Sequence, residues 1–319
     1  MGKIALLEPR PLSELQARYG GALDPQMVDA VIERVITPEQ ASDPSDLVVV
    51  TSSRVLPRVE SAQGILLCSE EMAHRVHTRR RWIHSHPMWV VAELLAPLER
   101  SASPVSAARS GSAVTHAQIA PDVEIGPGAV IFSGAVIGAG CRIGPNAVIY
   151  PSVRLAERVI VGAGAVIGAP GFGWTRGPEN QLRRIPQLGG VEVMADVEIG
   201  ALCTIASGTL GPTRIGVGVK LDAQIHVGHN AEIGEGTMVA AQSGFAGSSR
   251  IGPEVHIGGQ VGIADHVQVG EGARIAAKSG VIGDVPAHAT VAGYPALPRM
   301  RWLRAMARLV RSAAQSHPS

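Results

Sequence analysis

Residues 119–167 read IAPDVEIGPGAVIFSGAVIGAGCRIGPNAVIYPSVRLAERVIVGAGAVI, and an apolar residue falls at every sixth position: Ile119, Ile125, Ile131, Ile137, Ile143, Ile149, Leu155, Val161 and Ile167. A second run goes from Ile215 through Leu221, Val227, Ile233, Val239, Phe245, Ile251, Ile257, Ile263, Val269 and Ile275 to Val281. Val193, Ile199 and Ile205 keep the same step between the two. Each six-residue unit is a short strand and a tight corner, with one apolar side chain inward and a small residue, often Gly, after it. Three edges close one triangular coil of about eighteen residues, and coils stack at about 4.8 Å, so residues eighteen apart lie above one another. β-Branched side chains suit such inward ladders.

Two stretches break the step. One is APGFGWTRGPENQLRRIPQLGG (169–190), and a shorter one covers 210–214. Insertions in solenoids become surface loops, often beside the binding face.

Residues 1–100 lack the repeat and read as a mixed α/β domain. LSELQARYGG reads as a helix stopped by Gly20-Gly21, and LVVVTSS (Leu47–Ser53) and GILLC (Gly64–Cys68) as buried strands. PMWVVAELLAPL (Pro87–Leu98) reads as a helix opened by proline. A polar linker (101–112) leads to the repeat domain (113–294), and a helix and tail (295–319) follow. On that helix Arg301, Arg304, Arg308 and Arg311 fall on one stripe, and Trp302, Met306 and Leu309 on another.

The formal net charge of +1 excludes nucleic-acid binding by bulk electrostatics. Cys68, Cys141 and Cys203 lie far apart, which points to unbridged thiols in a reducing compartment and against a zinc module. The apolar part of MGKIALLEPR is too short for a signal peptide, and no run has the length of a membrane span, so a cytoplasmic protein is expected. His84 and His86 in HSHP, without carboxylate or thiol company, read as surface residues, and no metal is expected. His226 and His229 are three apart on a β-scaffold, where the helical metal-pair argument does not apply.

The stretches IGAPGFGW (167–174), RIPQLGGVEV (184–193), VEIGALCTI (197–205), HNAEIGEGT (229–237), QSGFAGSSRIG (242–252), IGGQVGIADHVQVG (257–270), AAKSGV (276–281) and GYPALP (293–298) resemble the UDP-3-O-acylglucosamine N-acyltransferases (LpxD). The resemblance implies a left-handed parallel β-helix with a small N-terminal α/β domain and a C-terminal helix, assembled as a homotrimer. It implies transfer of a 3-hydroxyacyl chain from acyl carrier protein to the amine of UDP-3-O-acylglucosamine, in lipid A synthesis. No cofactor is implied beyond the phosphopantetheine thioester, which is a co-substrate.

Residue by residue, His229 matches the family's catalytic base; it sits two past the inward Val227, so its ring reaches outside the prism. Gly247, one coil above, matches the oxyanion donor. His266 matches a second histidine contacting donor or substrate. Asp222, seven before His229, is a candidate to orient the imidazole, and Asn230 a substrate contact or a turn residue. Phe172 and Trp174 of the insertion are placed with the substrate or donor. Arg301, Arg304 and Arg308 would dock the acidic carrier protein.

The match fails in two places. The family stacks uracil between aromatic side chains after a buried strand, but here TSSRVLP (51–57) follows the strand and no Phe, Trp or Tyr lies between Gly20 and Arg81. Where the family has an Asp-Arg-Gly run, this chain has Ala206-Ser207-Gly208. These departures on the acceptor side admit two alternatives: a paralogue acting on an acceptor without uridine, or a non-catalytic trimeric scaffold.

Overall fold

A computed structural model describes residues 3–59, 62–76, 78, 80–101, 117–293 and 298–315. The N-terminal part is a six-stranded sheet of β1 (Lys3–Pro11), β2 (Ala22–Leu23), β3 (Val31–Ile36), β4 (Asp46–Val50), β5 (Ile65–Cys68) and β6 (Arg81–Ile83). Their order is β1-β3-β4-β5-β6-β2, with β3 to β6 parallel and the two edge pairs antiparallel. The central parallel strands β4 and β5 are buried on both faces, which accounts for the apolar runs around Leu47 and Ile65. One face is covered by α1 (Leu12–Tyr19) and the long C-terminal helix of this part, Pro87–Ser101, through Leu12, Leu15, Val91 and Leu95. The other packs Val48, Val50, Leu66 and Cys68 against Val59, Met72 and Ala73.

The repeats form a three-sided parallel β-helix of left-handed sense, with sheets of eight, nine and eight short strands along its faces. Pairing follows the eighteen-residue step, as in Val227↔Phe245 and Phe245↔Ile263, except where the insertions lengthen a coil. The sixth-position residues fill one continuous core, from Ile131 to Val281. Cys141, Cys203, Thr237 and Ser243 sit at its corners and donate to carbonyls of the next coil, at 2.9–3.0 Å. The three cysteines are buried and unbridged.

The outward residues make the faces chemically different. On one, Arg154, Glu192, Arg214, Glu232 and Arg250 stack in register as a ladder of alternating charge. Another carries Val148, Val166, Thr204, His226, Gly244, Gly262 and Gly280, with no acidic or permanently charged side chain. Along one edge Gln260 Nε2 donates to Gln242 Oε1 (2.6 Å), and Gln242 Nε2 to Gln224 Oε1 (2.9 Å).

The first insertion leaves the prism at Val166–Pro170 and folds into a hairpin, Trp174–Arg176 with Leu182–Arg184. Ion pairs Arg183–Glu93 and Arg184–Glu99 fasten the hairpin to the helix Pro87–Ser101. That helix is longer than the expected Pro87–Leu98. His84 departs from the expected surface position: it is buried, takes the His86 N–H on Nδ1 (2.8 Å), places Nε2 3.0 Å from the Tyr19 carbonyl, and stacks on Trp89. The linker beyond Ser101, and residues 295–297, lie outside the described residues; the terminal helix spans Arg299–Gln315. No helix of the described residues is long and apolar enough to cross a membrane.

Candidate active site

His229 lies in the corner between the strands His226–Val227 and Glu232–Ile233, where the uncharged face meets the charge ladder. Its ring fits between two glycines. A Cβ on Gly171 would stand 2.6 Å from His229 Cβ, and a Cβ on Gly247 would stand 2.7 Å from Nε2. Only a residue without a side chain admits the ring at these two positions.

Asn230 settles which ring nitrogen carries the proton. Its Oδ1 accepts from the Thr209 N–H (3.0 Å), and its Nδ2 donates to the Gly211 carbonyl (2.9 Å). These two partners fix the amide orientation, since one can only donate and the other only accept. The same Oδ1 stands 3.2 Å from His229 Nδ1, so in the neutral ring Nδ1 holds the hydrogen and Nε2 keeps its lone pair, beside Gly247. The Gly247 N–H donates to no described residue.

Thr209, Gly211 and Thr213, whose Oγ1 takes the Asn230 N–H (2.9 Å), were not marked by the sequence reading. The break in the repeat at 210–214 was the available signal. Ser207 also binds together the two irregular stretches: its Oγ takes the Gly190 N–H (2.9 Å) and lies 3.0 Å from the Gln187 carbonyl. At the Ala206-Ser207-Gly208 departure, Ser207 is thus buried structural bonding, and Ala206 forms cavity wall.

Two cavities meet at this corner. One, about 660 Å³, opens on the uncharged face and is lined by Phe172, His226, His229, Gly244 and Gly247, with Asp265 as its one carboxylate among the described residues. Desolvation lowers the His226 pKa from the ordinary histidine value, which favours its neutral form on that face. The other, about 630 Å³, lies between the N-terminal part and the charge ladder, with Thr37, Gln40, Ser52 and Asn230 among its walls. Ser248 and His266 line both. They stack above Asn230 in register, all three with φ near +60° (59°, 60° and 57° for Asn230, Ser248 and His266).

Two expected site residues lie elsewhere. Asp222 occupies a different edge of the prism, where its carboxylate accepts from the N–H groups of Ala223 (2.7 Å) and Ala241 (3.2 Å). Within the chain the group facing His229 Nδ1 is Asn230, and Asp222 is not brought to that corner. Trp174 lines a separate groove of about 480 Å³, with Leu7, Tyr19 and Leu182, because the hairpin carries it over the N-terminal part. Arg301, Arg304 and Arg308 are exposed on the terminal helix and line neither cavity. No group of three or more His, Cys, Asp or Glu suited to a metal occurs among the described residues.

Gly247→Ala is expected to push the imidazole off its seat, since the new methyl would overlap Nε2. A folded variant whose His229 ring NMR resonances move, with turnover down about a hundredfold, is the expected result; unchanged resonances would contradict the seat.

Residues 134–169 match the profile described as bacterial transferase hexapeptide (six repeats). A UDP-3-O-acylglucosamine N-acyltransferase of Chlorobium luteolum is 50% identical over 80 residues, 25% of this chain and 23% of that protein. One of Bordetella pertussis is 51% identical over 86 residues, 26% of this chain and 24% of that protein. The matches thus span about a quarter of these relatives' length, and they fall in the hexapeptide region. Among solved structures, LpxA of Acinetobacter baumannii superposes with a TM-score of 0.51 at 26% identity, covering 57% of this chain and 69% of that one.

Proposed function

We propose that this protein is an N-acyltransferase that moves an acyl chain from a carrier thioester to the amine of an acylated glucosamine. The relatives' names give UDP-3-O-acylglucosamine as the acceptor to try first. The observation that carries the reading is His229, seated between Gly171 and Gly247 in the wall of the cavity on the uncharged face, with its Nδ1 against Asn230, which lines the neighbouring cleft. The uncharged face suits an acyl chain, and the polar cleft suits a sugar.

In this reading the amine attacks the thioester carbonyl carbon, a C–N bond forms, and His229 Nε2 takes the amine proton. The oxyanion meets the Gly247 N–H. As it collapses the C–S bond breaks, and the proton passes from His229 to the leaving thiolate. Asn230 holds the ring and its tautomer throughout.

The terminal helix supports a role for the carrier. Residues 299–315 contain Arg299, Arg301, Arg304, Arg308 and Arg311 and no acidic residue, and the four later arginines fall opposite Trp302, Met306 and Leu309. Such a pole attracts an acidic protein. Arg304→Glu with Arg308→Glu is expected to raise the KM for acyl carrier protein about tenfold at low salt, with the gap closing as salt rises. An unchanged KM would remove the helix from docking.

The test is mass spectrometry of one reaction containing the protein, 3-hydroxyacyl-carrier protein and UDP-3-O-acylglucosamine. A product heavier by one acyl chain is expected. No product from folded protein, with that acceptor and with uridine-free acylglucosamines alike, would refute the reading and leave the scaffold alternative.

A further inference from the structure

Among its described lining residues the polar cleft offers a nucleobase no Phe, Trp or Tyr ring to stack on. Its N-terminal wall presents Thr37, Gln40, Thr51 and Ser52 beside Val55 and Met88, and its prism side Ser248 and Gln268 beside Leu210 and Pro212. The sole aromatic ring among its described lining residues is His266. The large rings of the N-terminal part are engaged elsewhere: Trp82 is fully buried with Nε1 donating to the Gly20 carbonyl (3.0 Å), and Trp89 is stacked on His84 with Tyr19 edge-on to it. The cleft's charges are paired within the protein, Arg58 with Glu39 (2.8 Å) and Arg250 with Glu232 (3.6 Å). Hydroxyls, amides and paired ions set among apolar side chains, in a cleft that reaches the His229 corner through Ser248 and His266, match a polyhydroxylated ligand with an apolar ring face and give a flat base no Phe, Trp or Tyr partner.

Resting on the function proposed above, we infer that this cleft reads the sugar half of the acceptor and takes no affinity from a uridine. The acceptor class is an acylated amino sugar, with or without a nucleotide attached. A stacked base ordinarily contributes about five- to a hundredfold in affinity; here that factor is about one.

The test is saturation-transfer NMR on the full chain with UDP-N-acetylglucosamine, whose amine is blocked, alongside N-acetylglucosamine 1-phosphate. Saturation is expected on the sugar and acetyl protons and not on uracil H5 and H6, with the two Kd values within about threefold of each other. Uracil protons saturated as strongly as the sugar, a Kd gap of tenfold or more in favour of the nucleotide, or no saturation of either probe would each overturn the inference. The double change Thr51→Val, Ser52→Ala is expected to weaken both probes equally, by about fivefold. No change, or a change confined to the nucleotide probe, would place the sugar elsewhere. The measurement needs no turnover. Uracil saturation would end this inference while leaving acyl transfer standing, and loss of acyl transfer would leave the NMR result readable.

Discussion

His229→Ala is expected to lower acyl transfer by about a thousandfold, within the range that a positioned general base contributes. The variant should keep its fold, because the ring sits outside the core between Gly171 and Gly247 and its removal opens no cavity inside the prism. The expected signature is a fall in kcat with little change in KM for the acceptor, since the cleft that would hold the sugar is walled by other residues. Asn230→Ala should reproduce part of the loss. Without Oδ1 nothing keeps the proton on Nδ1, and the Gly211 carbonyl loses its donor. If His229→Ala turns over at the wild-type rate, another group is the base and the corner must be reassigned.

Phe245→Ala is expected to cost about 3–5 kcal/mol, as truncations of a buried Phe do. The ring is 1% exposed, lies between Val227 and Ile263 in its ladder, and is the largest side chain of the prism core. Its loss leaves a void in a column whose coils contact chiefly their neighbours, so the damage should be regional. Amide exchange should quicken in the coils of Val227, Phe245 and Ile263 and much less near Ile131. Activity should fall as well, because Ala246 and Gly247 follow directly and form the wall beside His229. Phe172→Ala is the matched control: that ring is 86% exposed, and its removal should leave thermal stability unchanged. Equal effects of the two would contradict the placement of Phe245.

The solenoid was legible because one large apolar residue in six must face inward, with a second, often smaller, buried two positions before it. The stacking of Gly247 over His229 followed from the same arithmetic. The same arithmetic places Asp222 on another edge of its own prism, since seven residues carry the chain from one edge to the next. Trp174 was misplaced for another reason. The insertion has no repeat, so no register ties Trp174 to the prism, and the ion pairs Arg183–Glu93 and Arg184–Glu99 that orient the hairpin join residues about 90 positions apart or nearly so. In the N-terminal part, the fully buried strands showed as apolar runs. β1, β3 and β6 carry charged residues among their apolar ones and gave no such run. Asn230 was named only as a contact or turn residue, because its partners Thr209 and Gly211 are held by a loop whose path the repeat does not dictate.

The three faces and the glutamine edge constrain how this chain can change length. Each edge keeps its own chemistry only while every coil returns to the same starting corner. Gaining or losing a single hexapeptide between His229 and Gln242 would rotate everything beyond it by one face: the amide chain of Gln242 and Gln260 would swing away from Gln224, and Gly247 away from His229. Outside the coil that joins His229 to Gly247, descendants of this protein can therefore lengthen or shorten the shaft by whole coils and keep each face in line, while a one-hexapeptide indel between His229 and Gln242 is lethal to the site even though it preserves every local turn and every inward residue. Sequence variants in natural populations, or a library of deletions, should show that quantum.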